Sequence, residues 1–160
     1  MNRILAALAL SLLAAPAAAH DYTLGALQIA HPHAIASLPG AKAGSAYLAV
    51  TNTGLSDDRL IEVRGDIPSI QIHDVVTEDG VTRMIEQEEG LLLPVGETVR
   101  LAPGGMHLML MGLSAPLVEG EALPLTLVFE EAGEIAVEFA IEARGDAMDH
   151  TGHGGHGDGS

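Results

Sequence analysis

The sequence predicts an all-β domain, an antiparallel sandwich or barrel, on three observations. Short runs rich in β-formers recur after residue 20 without a helical period, and eight or so strands at such spacing are typical of sandwiches and barrels. Turn residues separate the runs, and Asp79-Gly80 is the clearest hairpin signal. Leu123–Phe129 and Ile135–Ile141 alternate apolar and polar residues, as core-facing strands do. The predicted strands are Tyr47–Thr51, Arg59–Val63, Ile70–Val76, Thr82–Glu86, Thr98–Leu101, His107–Gly112, Leu123–Glu130 and Glu134–Ala143.

Residues 1–19 are predicted to be a secretory signal peptide. Met1-Asn-Arg3 is a short basic start, Ile4–Ala15 is almost wholly apolar, and Ala17–Ala19 offers the small residues that a signal peptidase accepts. The apolar run is too short for a spanning helix, and no later stretch is longer. We therefore expect a periplasmic protein that begins at His20 after cleavage and does not insert into the membrane.

The C-terminal residues differ in composition from the rest of the chain. Residues 145–160 contain mainly Gly, His, Asp and Ser, with almost nothing to bury. Such a segment does not offset its ordering entropy by apolar burial, so we expect a disordered tail. The predicted domain accordingly spans residues 20–144.

Composition excludes several function classes. The chain has 160 residues, with 22 Asp+Glu against 7 Lys+Arg and a formal net charge of −15, which argues against a nucleic-acid partner. It has no Cys, so disulfides, thiolate metal sites and blue-copper sites are all absent. Neither Gly-x-Ser-x-Gly nor His-Glu-x-x-His occurs, so we expect a binding protein without enzymatic turnover. We also expect the protein to be a monomer.

His and Met side chains predict a soft metal site. In a strand over residues 107–111, His107, Met109 and Met111 share one face while two leucines take the other. The Asp79-Gly80 hairpin would set His73 and Met84 on facing strands. Thioethers are soft, neutral ligands, so the set His73, Met84, His107 and Met109 favours Cu(I) over Zn²⁺. A single Met on an apolar strand is more often a core residue, but the joint pattern favours a site.

The same residues resemble the motif of the periplasmic copper chaperones of the PCu(A)C type. The spacing His-x10-Met, then twenty-two residues, then His-x-Met fits, although the usual second gap is twenty-one; a loop such as Pro94–Glu97 can absorb the extra residue. The likeness runs from about Gly44 to Ile141. It implies a cupredoxin-like sandwich that holds Cu(I) through these four residues. It also implies a copper acceptor such as cytochrome c oxidase subunit II, with its Cu(A) centre, or another copper chaperone.

Other histidines suggest further copper sites. Three tail histidines and a methionine predict a second site, which we expect to capture Cu(II) before reduction and transfer: Met148, His150, His153 and His156. The amino-terminal His20, with His31 and His33, is a weaker candidate for Cu(II), and Met111 is a candidate neighbour of the main site. The alternative function is copper or zinc buffering or resistance through the His-rich tail.

Overall fold

The computed structural model describes residues 20–145, which form an all-β domain. The predicted signal peptide and residues 146–160, with all four predicted ligands of the tail, lie outside the described residues. None of the described residues forms a helix long and apolar enough to cross a membrane. The strands are β1 (Tyr22–Leu24), β2 (Leu27–Ile35), β3 (Ala43–Asn52), β4 (Asp58–Gly65), β5 (Ser69–Glu78), β6 (Val81–Glu86), β7 (Leu91–Leu93), β8 (Thr98–Arg100), β9 (His107–Met111), β10 (Ala122–Phe129) and β11 (Gly133–Glu142).

The strands form a continuous path of hydrogen-bonded neighbours in the order β6-β5-β9-β3-β2-β11-β10-β4-β7. β1 adds to β2, and β8 adds to β3. All pairs are antiparallel except β2 with β11, which run parallel. The path folds over itself into a sandwich, since Asn52 at the end of β3 donates a buried hydrogen bond of 2.9 Å to the carbonyl of Leu93 in β7.

The core is almost wholly aliphatic, as the composition requires. Leu108 and Leu110 of β9 are fully buried and belong to the same apolar cluster as Leu60, Leu127 and Phe139 from the other half of the path. Every second residue of β10 and β11 enters this cluster, which confirms the alternation read from the sequence. The outer faces of β5 and β9 are left for polar and sulfur-containing side chains.

All eight predicted strands are present, within one or two residues of their predicted ends except β3, which begins four residues earlier than predicted. The Asp79-Gly80 hairpin is confirmed, with φ of 51° and 76° at its two central residues, as a type I′ turn requires. Strands β1, β2 and β7 were not predicted. β2 contains Pro32 inside an irregular stretch between Ala30 and His33, and a proline within a run argues against a strand.

Candidate metal centre

The candidate site lies on the outer face of three neighbouring strands, β6, β5 and β9. In β9 the two leucines face the core, whereas His107, Met109 and Met111 face the other way, as the alternation predicts. His73 of β5 lies directly opposite His107, so the two residues share this face. Their ring centroids are 5.7 Å apart and the rings are inclined by 66°. Cross-strand pairing alone thus brings together two imidazoles that are far apart in the sequence.

His107 is oriented by the turn that precedes its strand. Its ring is 6% exposed, and Nδ1–H donates a 3.0 Å hydrogen bond to the carbonyl of Gly105. The other ring nitrogen, Nε2, therefore carries the free lone pair. A backbone carbonyl that fixes the tautomer of a histidine is a common feature of metal-binding sites.

His73 has one ring nitrogen with a partner and one without. Nε2–H donates a 2.9 Å hydrogen bond to Oε1 of Gln71, two residues earlier on the same face. Nδ1 is buried and has no hydrogen-bond partner among the described residues. A buried polar atom without a partner costs free energy, so its retention needs an explanation such as a bound ion. Nδ1 of His73 has the lone pair that a metal ion would use.

The two methionines flank the imidazoles on the same face. Met109 follows His107 by two residues and lies opposite Gln71. Met84, on the edge strand β6, lies directly opposite Val75 and is therefore the diagonal neighbour of His73 across the two strands. Its side chain is 62% exposed, which makes it the outermost of the four predicted ligands. The structure therefore places His73, Met84, His107 and Met109 on one face of adjoining strands.

Met109 also lines an open cleft of about 670 Å³ beside the site. Tyr47 and Arg144 line it too, with small residues of β3. Met111 lies at the far end of β9, opposite Ser69, roughly 13 Å along the strand from His107. It shares the face of the site but lies far from its two imidazoles.

The three candidate ligands near the amino terminus divide into two groups. His31 and His33 of β2 lie side by side, with ring centroids 4.3 Å apart. Nε2 of His31 lies 3.2 Å from Oε1 of Glu142 in β11. His20 is exposed and does not belong to this cluster. It lines a cleft of about 420 Å³ that also reaches Glu142.

Two residues that contact the candidate ligands, Gln71 and Glu142, were not predicted from the sequence. Gln71 precedes His73 by two residues on one strand face, so the strand period is a signal that points to it. Glu142 has no comparable signal, because only the parallel pairing of β11 with β2 brings it near His31 and His33.

Comparison with curated proteins gives relatives of unassigned activity. The chain is 36% identical over 99 residues to Lxx21020 of Leifsonia xyli subsp. xyli, a protein named as a lipoprotein, and the match covers 61% of this chain. The chain spans 60% of the length of that relative and 53% of RP573 of Rickettsia prowazekii.

Solved structures give a more specific likeness. The copper-bound PCuAC domain from PmoF2 is 35% identical, with a TM-score of 0.67, and the match covers 78% of this chain and 99% of that domain. The apo PCuAC domain from PmoF1 is 33% identical with the same TM-score and covers 78% and 100%. The family model described as LpqE-like matches residues 27–141. The chain therefore belongs to the LpqE-like family, and its domain is of the PCuAC type.

Proposed function

We propose that this protein is a Cu(I) metallochaperone that binds one ion through His73, Met84, His107 and Met109 and transfers it to a partner protein. The observation that carries the proposal is Nδ1 of His73, a buried nitrogen that has no hydrogen-bond partner within residues 20–145 and lies beside a second imidazole. Each imidazole has one nitrogen held by a hydrogen bond, so each keeps its other nitrogen free as a ligand atom. The similarity to a copper-bound domain supports the same ion.

The ligand chemistry selects the oxidation state. Two thioethers and two imidazoles carry no charge, and thioethers are poor ligands for Zn²⁺, Mg²⁺ or Ca²⁺. Cu(I) accepts both donor types, so the complex keeps a single positive charge. The strongly acidic chain raises the local concentration of cations around such a site.

The exposure of the ligands favours release of the ion over permanent retention. His107 is buried, whereas Met84 lies on an edge strand with 62% of its side chain exposed. An acceptor can therefore reach the ion from the side of Met84, and replacement of a neutral thioether requires no charge separation. Transfer by stepwise ligand exchange follows from this arrangement.

The compartment and the acceptor belong to the same proposal. The apolar leader and a relative named as a lipoprotein support a location outside the cytoplasm, which we take to be the periplasm. We propose cytochrome c oxidase subunit II, with its Cu(A) centre, or another copper chaperone as the acceptor. The tail histidines would capture Cu(II), which reaches the sandwich site after reduction.

The test replaces the two thioethers and keeps their volume. A Met84→Leu/Met109→Leu variant of the full chain is expected to bind Cu(I) at least about a hundredfold more weakly, because Leu has similar size but no donor atom. Affinity is measured by competition with a chromogenic Cu(I) chelator. X-ray absorption of the wild-type complex should report both sulfur and nitrogen neighbours of copper.

Met111→Leu is the matched control, since Met111 shares the strand and the face but lies far from the imidazoles. Its Cu(I) affinity should equal that of the wild type. Wild-type Cu(I) affinity in the double variant would overturn the four-ligand site and favour the alternative function, buffering through the His-rich tail.

A further inference from the structure

We propose that His31, His33 and Glu142 form a second metal site, for a divalent ion and in particular Cu²⁺, separate from the Cu(I) site. One ligand atom from each of these three residues lies within 4.8 Å of the others. Nε2 of His31 and Oε1 of Glu142 are 3.2 Å apart. The three donors are thus gathered closely enough to share one ion.

The backbone of β2 departs from regular geometry at this cluster. His31 has φ of 46°, a left-handed conformation that non-glycine residues seldom adopt, and the register with β3 shifts between Ala30 and His33. The amide of His31 donates a 3.2 Å hydrogen bond to Oδ1 of Asp21, which holds the irregularity in place. Bulges of this kind redirect side chains, here bringing two rings to within 4.3 Å of each other.

His33 is oriented by a backbone carbonyl in the same way as His107. Its Nδ1–H donates a 2.9 Å hydrogen bond to the carbonyl of His31, so Nε2 carries the free lone pair. The bulge thus supplies two things at once, the position of one imidazole and the carbonyl that sets the tautomer of the other. Orientation by a backbone carbonyl is typical of metal-binding histidines.

The donor set differs from that of the Cu(I) site. Two imidazoles and a carboxylate are nitrogen and oxygen donors, which suit Cu²⁺ or Zn²⁺, and Cu²⁺ binds most tightly among the divalent first-row ions. Glu142 also lines a cleft with Glu119, Glu121 and Glu138, and the field of these carboxylates favours a divalent cation. Cu(I), the softer ion, is not expected to prefer this set of nitrogen and oxygen donors.

The two sites lie on the same face of the sheet. Ala34 of β2, Ala46 of β3 and Leu108 of β9 are paired across the three strands, and all three face the core. Their neighbours along the chain, His33 and His107, therefore both point away from the core. Because β3 alone separates β2 from β9, the sites are roughly 10 Å apart across the strands. The same domain face would therefore hold a harder and a softer copper site side by side.

The test uses the full chain with the other candidate Cu(II) ligands removed. In a background with alanine at His20, His150, His153 and His156, equilibrium dialysis against Cu(II) with electron paramagnetic resonance should find one bound ion. Glu142→Gln, His33→Ala and His31→Asn should each weaken it at least about tenfold. Asn tolerates positive φ, so that variant keeps the bulge.

Glu134→Gln is the matched control, because Glu134 lies on the same strand but outside both the cluster and the cleft. It should leave Cu(II) affinity within about twofold. Met84→Leu/Met109→Leu should weaken Cu(I) binding at least about a hundredfold and leave Cu(II) binding intact, which separates the two sites. Cu(II) affinity unchanged by all three cluster variants, or no bound Cu(II) in the background protein, would overturn the proposal. The side chain of Glu142 is only half-buried, so its variant remains decisive if a histidine variant fails to fold.

Discussion

Replacement of His73 by phenylalanine is expected to separate the stability of the domain from its copper binding. Phe keeps an aromatic ring beside His107 but removes both ring nitrogens. A buried nitrogen without a partner costs about 1–3 kcal/mol, whereas the lost hydrogen bond to Gln71 contributes about 0.5–1.5 kcal/mol. The net effect on the copper-free protein is an increase in the free energy of unfolding of about 1 kcal/mol.

Thermal unfolding with and without Cu(I) measures both effects. For a domain of this size, about 1 kcal/mol corresponds to a rise in Tm of about 3–6 °C. A ligand present at one hundred times its Kd stabilises the native state by about 2.7 kcal/mol, so Cu(I) should raise the Tm of the wild type by about 10 °C. His73→Phe should lose this copper-dependent rise, and His31→Asn, outside the four ligands, should keep it.

The opposite pattern would refute the reasoning. Copper-free His73→Phe could instead be less stable than the wild type by about 2 kcal/mol or more, which is the size of the loss expected when a buried contact is removed. If that variant also still gained stability from Cu(I), the nitrogens of His73 would have a structural role. The unpaired Nδ1 would then not be a sign of a ligand site.

Three further outcomes are expected. Gln71→Ala should weaken Cu(I) binding by about 10–100-fold, measured by chelator competition, while Gln87→Ala leaves it unchanged. Cu(I) affinity should fall as the pH is lowered in the same assay, because protons compete with the metal ion for imidazole nitrogens. Gly120→Ala should cost about 1–2 kcal/mol in chemical denaturation, through positive φ alone. Gly90→Ala should cost clearly more, since its Cβ would also meet the carbonyl oxygen of Leu60; equal losses would contradict the steric argument.

Local patterns were sufficient for much of the fold. Alternation identified β10 and β11 and the division of β9 into a leucine face and a His/Met face, because side chains alternate strictly along a strand. The Asp79-Gly80 turn predicted the hairpin, since both residues tolerate positive φ. These signals act over a few residues and need no knowledge of distant strands.

The missed elements show where local patterns fail. β7 is only Leu91–Leu93, too short to alternate visibly, and β2 is interrupted by a bulge and a proline. The pairing of β2 with β11 joins segments more than one hundred residues apart. No local period encodes such a partner, so the parallel pair is a tertiary result.

The sequence by itself determined the kinds of donor atom available, the absence of thiolates, and which His and Met residues share a strand face. Those properties depend on composition and on the two-residue period of a strand. Only the tertiary structure decided that His73 lies opposite His107 and that Glu142 reaches His31. It also decided that one nitrogen of His73 is buried with no hydrogen-bond partner in the described part of the chain. Strand order and burial depend on the packing of the whole core, which no short segment specifies.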